Sequence, residues 1–129
     1  MYQLRGKLSI VMPAYNEEAL IYNSIMQTLS IVEQFAPDME IIAVNDGSKD
    51  KTKQEIERAI RDDAKQPHPV APGMRVSGIR IKLVTSNKNR GKGNAIISGI
   101  SQAEGDYIAF VDADLELNPA QLEIGRAHV

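Results

Sequence analysis

Two carboxylates one residue apart, Asp112 and Asp114, close an unbroken apolar run, Tyr107-Ile108-Ala109-Phe110-Val111. Such a run reads as a strand buried on both faces of a sheet. Both acids then emerge together at its C-terminal end. Partly buried ionised carboxylates are costly unless paired or bound to a metal, and an open parallel sheet binds ligands at that edge. The Asp-x-Asp therefore points to a divalent cation, Mg²⁺ or Mn²⁺, both of which prefer oxygen ligands, holding a phosphorylated ligand. Taken alone, the tripeptide fits a turn and helix cap equally well.

Three further polar clusters follow apolar runs. Pro13 and then Tyr15, Asn16 and Glu17 follow Leu8–Met12, and Asn45-Asp46-Gly47-Ser48 follows Glu40–Val44. Asn89-Arg90-Gly91-Lys92-Gly93-Asn94 follows the alternating Ile79, Ile81 and Leu83. Arg90 and Lys92 can bind phosphate oxygens. Gly91 and Gly93 let backbone approach an anion, and the next helix offers its N-terminus. Asp46 and Glu17 can accept hydrogen bonds from a base or ribose. Each residue also has a structural role to weigh. Tyr15 can pack on the following helix, Asn16 can cap it, and Glu17 can complement its dipole. Arg90 and Lys92 can belong to a solvated loop.

These clusters act together only if the fold brings them to one edge. The runs at Leu8–Met12, Glu40–Val44, Ile79–Leu83 and Tyr107–Val111 alternate with helical patterns. Ile21, Ile25, Leu29 and Val32 fall at helical spacing after Asn16, Ile56 and Ile60 within Lys49–Lys65, and Ile96, Ile100 and Ala103 before Gly105. The order β-α-β-α-β-α-β predicts an α/β, three-layer, Rossmann-like parallel sheet with right-handed crossovers. Every strand-to-helix loop then lies on the same edge. Residues 66–78 read as an irregular loop on the opposite edge, with His68 inert between two prolines.

With 129 residues the chain can form one domain, and 15 basic against 17 acidic residues argue against a general nucleic-acid binder. The absence of cysteine excludes disulfides and thiolate metal sites. No stretch reads as a membrane span or signal peptide, so a cytoplasmic setting is expected. Gly91-Lys92-Gly93-Asn94 lacks the rest of a P-loop, and no glycine-rich dinucleotide fingerprint follows Pro13. Residues 124–129, Ile-Gly-Arg-Ala-His-Val, match an in-frame translation of a common sequencing adapter. Residues 1–122 are accordingly expected to be native sequence and 123–129 a non-native tail.

The segments Ile10–Glu17, Val44–Asp50, Asn89–Ala95 and Gly105–Asp114, in this order and spacing, resemble glycosyltransferase family 2, whose members include dolichyl-phosphate mannose and glucose synthases. The resemblance implies a GT-A fold and inverting, metal-dependent transfer of a sugar from a UDP- or GDP-sugar. By resemblance, Pro13, Tyr15 and Glu17 line the nucleoside site, Asp46 contacts the base, and Asp112 with Ala113 approaches the ribose or diphosphate. Asp114 binds the metal, joined by Asp112 and by Glu116 two residues on. Polyprenyl phosphate and glycans are the acceptors it admits, with the longer protein at the cytoplasmic face of a membrane. The segment that would supply the catalytic base follows the Asp-x-Asp, so this chain is expected to bind donor only. A sugar-phosphate nucleotidyltransferase and a non-enzymatic nucleotide-sugar-binding module are the rival readings.

Overall fold

The computed structural model describes residues 4–70, 72–74 and 78–114, and the backbone of 124–126. Four parallel strands carry the fold: β1 (Leu8–Ala14), β2 (Met39–Asp46), β3 (Ile81–Ser86) and β4 (Tyr107–Phe110). The helices between them are α1 (Ile21–Val32), α2 (Thr52–Ala64) and α3 (Lys92–Ser101). The short β5 (Ile124–Arg126), within the stretch set aside above, pairs antiparallel with β4. The sheet order is β3-β2-β1-β4-β5. The chain thus builds outward from β1 in one direction and then crosses back, which puts the topological switch point between β1 and β4.

The layers follow from strand alternation. Leu8, Ile10, Met12 and Ala14 of β1 pack with Ile21, Ile25, Leu29 and Val32 of α1 and with Ile56 and Ala59 of α2. Val11, Ile42 and Val44 turn the other way and meet Ala95 of α3. Strand β2 is buried along its whole length, as a central parallel strand requires. Pro13 does not halt β1, which runs on to Ala14. The Val11 carbonyl points toward β4, where it accepts from the Val111 N–H. Residue 13 shares that side, and the β4 ladder ends at Val11↔Phe110. The N–H that proline lacks therefore falls just past the end of that ladder.

Two local expectations are corrected, and His68 gains a structural role. Asn16 does not cap α1: that helix begins at Ile21 behind Leu20, and Asn16 adopts a left-handed φ of 51°. The α3 stripe is not Ile96 and Ile100, because the buried positions are Ala95 and Gly99, and Ile100 is exposed. Small residues let α3 settle directly on β1 and β2. His68 is not idle: its side chain is buried, and Nε2 lies 2.9 Å from the Asp63 carbonyl, tying the proline-rich loop to the end of α2.

Candidate functional site: the C-terminal edge of the sheet

The first two loops are fastened to each other. The Asn16 N–H donates to Ser48 Oγ at 3.0 Å, and Asn16 Oδ1 accepts from the Lys49 N–H at 2.9 Å. The Glu17 N–H donates to Thr52 Oγ1 at 2.8 Å, and the Glu18 N–H to Asp50 Oδ2 at 3.2 Å. Asp50 also caps α2, accepting from the Thr52 N–H at 2.9 Å. Burial pushes the Asp50 carboxyl up, but these hydrogen bonds outweigh it and hold the group below its ordinary value. Asn16 is thus a loop fastener. Its short amide tolerates the left-handed backbone that the turn requires.

The third loop is fastened by Asp46. This buried residue ends β2, and its two oxygens accept the N–H groups of Arg90 at 2.9 Å and Gly91 at 3.0 Å. Gly47 follows with φ 71°, and a Cβ there would fall on the backbone of Lys88 and Asn89. The two loops can touch only because residue 47 has no side chain. Asn45 completes the joint, donating from Nδ2 to Thr85 Oγ1 at 3.0 Å.

The fourth cluster hangs on α1. Ser24 Oγ donates to the carbonyl of the buried Ala113, holding the Asp112–Asp114 turn against the helix. Sequence reasoning missed Ser24; its only signal is a hydroxyl one turn from Ile21 and beside Ile25 on the buried stripe.

Between these loops lies an open cavity of about 380 Å³. It is lined by Pro13, Ala14, Tyr15, Glu17, Asp46, Asn89, Gly91, Lys92, Ala95, Asp112, Ala113 and Asp114. Seven of the sequence-based site residues from Pro13 to Ala113 therefore share one hollow with Asp114. Tyr15 is 42% exposed at the rim, so it is not consumed in packing on α1. Arg90 is the exception among the described residues: its backbone joins the Asp46 clasp, but its exposed side chain does not line the hollow. Glu116 lies outside the described residues. Asn89, Gly91, Ala14 and Ala95 complete the lining; of these, sequence reasoning had singled out Asn89 and Gly91.

Charge in the hollow is uneven. Burial raises the Glu17 carboxyl above its ordinary value, and the nearby Asp114 and then Asp50 raise it further. Lys92 Nζ pairs with Asp112 Oδ1 at 2.6 Å. At Lys92 the first turn of α3 has no side-chain cap and no acidic residue, so its N–H groups remain available to an anion. A cation-seeking acidic side thus faces an anion-seeking helix end. Among the described residues no three carboxylate or histidine side chains converge closely enough to hold a metal by themselves.

The opposite edge also carries charge, which the sequence reading had left out, but there it is internally matched. Buried Glu40 accepts from Ser9 Oγ at 2.6 Å and the Glu104 N–H at 2.8 Å, and its Oε1 meets Lys82 Nζ at 2.8 Å. Buried Arg80 spans Asp63 and Glu33 at 2.8 Å each.

Among known proteins, the chain is 34% identical over 116 residues to an undecaprenyl-phosphate 4-deoxy-4-formamido-L-arabinose transferase of Enterobacter sp. (strain 638), covering 90% of this chain and 31% of that protein. It is 35% identical over 115 residues to the transferase of the same name from Pectobacterium carotovorum subsp. carotovorum, covering 89% of this chain and 31% of that one. The chain thus spans about 31% of the length of these curated relatives. In structure it is similar to S. aureus TarS in complex with UDP-GlcNAc, with TM-score 0.63 and 26% identity over 84% of this chain and 26% of that one. It shares its fold with the mannosyltransferase PcManGT from Pyrobaculum calidifontis in complex with GDP-Man and Mn²⁺, with TM-score 0.68 and 24% identity over 86% of this chain and 28% of that one. Residues 9–125 match the family described as Glycosyl transferase family 2, and the chain belongs to that family.

Proposed function

We propose that this chain is the donor-binding part of a metal-dependent, inverting glycosyltransferase that takes a sugar from a UDP- or GDP-sugar. The observation that carries the reading is the single hollow at the β1/β4 switch point, where Glu17, Asp46, Asp112 and Asp114 face Lys92 and the open end of α3. The base lies toward Tyr15 and Asp46, the diphosphate toward Lys92 and the α3 N-terminus, and the cation at Asp114 and Asp112. Glu116 is a further oxygen donor for it. A bound Mg²⁺ or Mn²⁺ would act as a Lewis acid on the departing diphosphate. The chain's own share is positioning: Asp46 and Gly47 hold the phosphate-facing loop, and Ser24 holds the carboxylate turn.

The similarity to undecaprenyl-phosphate transferases supports a lipid-phosphate acceptor such as a polyprenyl phosphate, with the longer protein working at the cytoplasmic face of a membrane. Among the described residues no helix is long and apolar enough to cross a membrane. Membership in the family favours this reading over a nucleotidyltransferase.

Calorimetric titration of UDP and GDP, with and without Mn²⁺, tests the reading. One nucleotide is expected to bind more tightly with Mn²⁺, and Asp114→Ala to weaken that metal-assisted binding about tenfold or more. Equal affinity in all four conditions would reject a metal-bridged donor site.

A further inference from the structure

Lys92 stands where two ligands are expected. It is the first residue of α3, and its side chain is 62% exposed, yet its ammonium lies 2.6 Å from Oδ1 of Asp112, in the turn that follows β4. It thereby occupies an oxygen of the Asp-x-Asp pair. Its other expected partner, a phosphate at the α3 N-terminus, lies on its own element. A lysine suits such a double duty. Its charge is a compact point on a flexible four-carbon stem, so it can change partner without moving backbone. A pair this exposed is also weak and readily exchanged.

Building on the donor-site reading, we infer that Lys92 is an internal counter-ion that competes with the divalent cation for Asp112 and is drawn away by the nucleotide diphosphate, so that metal and nucleotide load as a unit. Without nucleotide, an incoming Mn²⁺ meets a resident ammonium on the oxygen it needs, and like charges repel. Once a diphosphate is present, Lys92 gains phosphate oxygens and the cation gains both Asp112 and further phosphate ligands. The acid-rich side of the hollow, where Glu17 lies within reach of the charges of Asp114 and Asp50, would otherwise attract free cations indiscriminately. Lys92 tempers that attraction until the correct ligand arrives. By linkage, each ligand then tightens the other by the same factor.

Electron paramagnetic resonance titration of free Mn²⁺ against the chain without nucleotide provides the test. Lys92→Met is expected to tighten free Mn²⁺ binding about threefold to tenfold. It should simultaneously weaken UDP or GDP binding measured without metal, which shrinks the coupling between the two ligands. Lys92→Arg, which keeps the charge, should leave free Mn²⁺ weakly bound, and circular dichroism should show both variants folded. Unchanged or weaker free Mn²⁺ binding in Lys92→Met would overturn the competition, even if the unaltered chain binds Mn²⁺ and nucleotide together as the donor-site reading requires. Failure of the unaltered chain to bind nucleotide with or without Mn²⁺ would remove both.

Discussion

Asp46 illustrates how much a single side chain does at this site. Both of its oxygens are engaged by backbone N–H groups of the β3–α3 loop. On the proposed reading, a base reaching Asp46 would use the remaining lone pairs of an already fixed carboxylate, and nucleoside recognition would be mechanically joined to the loop that leads into Lys92. Asp46→Asn is expected to destabilise the chain by about 1–3 kcal/mol, since two hydrogen bonds to a charged acceptor are weakened and an amide NH₂ would face one of the two backbone N–H groups. A lowered urea midpoint together with weaker nucleotide binding would bear this out. An unchanged midpoint would mean that the loop is held by other contacts. The carboxylates, Tyr15 and Lys92 were readable from residue type and position. The clasp itself was not, because a carboxylate fastening a loop 44 residues away leaves no local signal.

At the level of elements, the long buried strands and the α1 stripe were legible because burial enforces periodicity over many residues. The α3 packing was not, because Ile96 and Ile100 suggested a face that the sheet does not use. A Cβ on Gly99 would collide with Val11 Cγ1 and come within 3.2 Å of both Val11 Cγ2 and Val44 Cγ2. Gly99→Ala gains up to about 1 kcal/mol of helix propensity, but overpacking against two branched side chains costs about 1–3 kcal/mol. The net expectation is destabilisation, read as a lower denaturation midpoint. Because α3 carries Lys92, its displacement should also weaken nucleotide binding. A more stable Gly99→Ala chain would show that α3 can lift off without strain. The start of α1 was misplaced for a related reason. Asn16 has a helix-capping residue type, but its amide and N–H are used across space by Ser48 and Lys49.

For the whole molecule, the two edges of the sheet divide the work. On the edge away from the site, charges are paired and the network is structural. Burial pushes the Glu40 carboxyl up, but the ion pair with Lys82 and hydrogen bonds from Ser9 and the Glu104 N–H, with Lys7 nearby, hold it below its ordinary value of 4.5. The unfolded chain therefore binds that proton at a higher pH than the folded one. Glu40 contributes its stabilisation fully above about pH 4.5 and loses it as the pH falls through the lower folded value. Glu40→Gln should cost about 1–3 kcal/mol at pH 7 and flatten the acid limb of a stability–pH profile. Parallel profiles for the two chains would contradict a depressed Glu40. On the edge that holds the hollow, Asp114 and Asp50 raise the Glu17 carboxyl and the first turn of α3 has no side-chain cap; the proposed cation and diphosphate would answer both.

Sequence alone determined the alternation of strands and helices, and with it the convergence of Pro13–Glu17, Asn45–Ser48, Asn89–Asn94 and Asp112–Asp114 on one edge. In a parallel sheet with helical crossovers, every strand-to-helix loop must emerge on the same side. Only the tertiary structure decided the order β3-β2-β1-β4, which sets the Asp-x-Asp beside Tyr15 and Glu17 at the switch point. It alone also paired Lys92 with Asp112, clasped the third loop to Asp46, and hung the fourth on Ser24. The physical reason is one of range. Periodicity is a local property written along the chain, whereas strand order and side-chain pairing are settled by which distant surfaces pack with the least loss of burial and hydrogen bonds. Asp112-Ala113-Asp114 could be read as a turn from its own residues; the fold sets its two carboxylates in one hollow with Glu17 and Lys92.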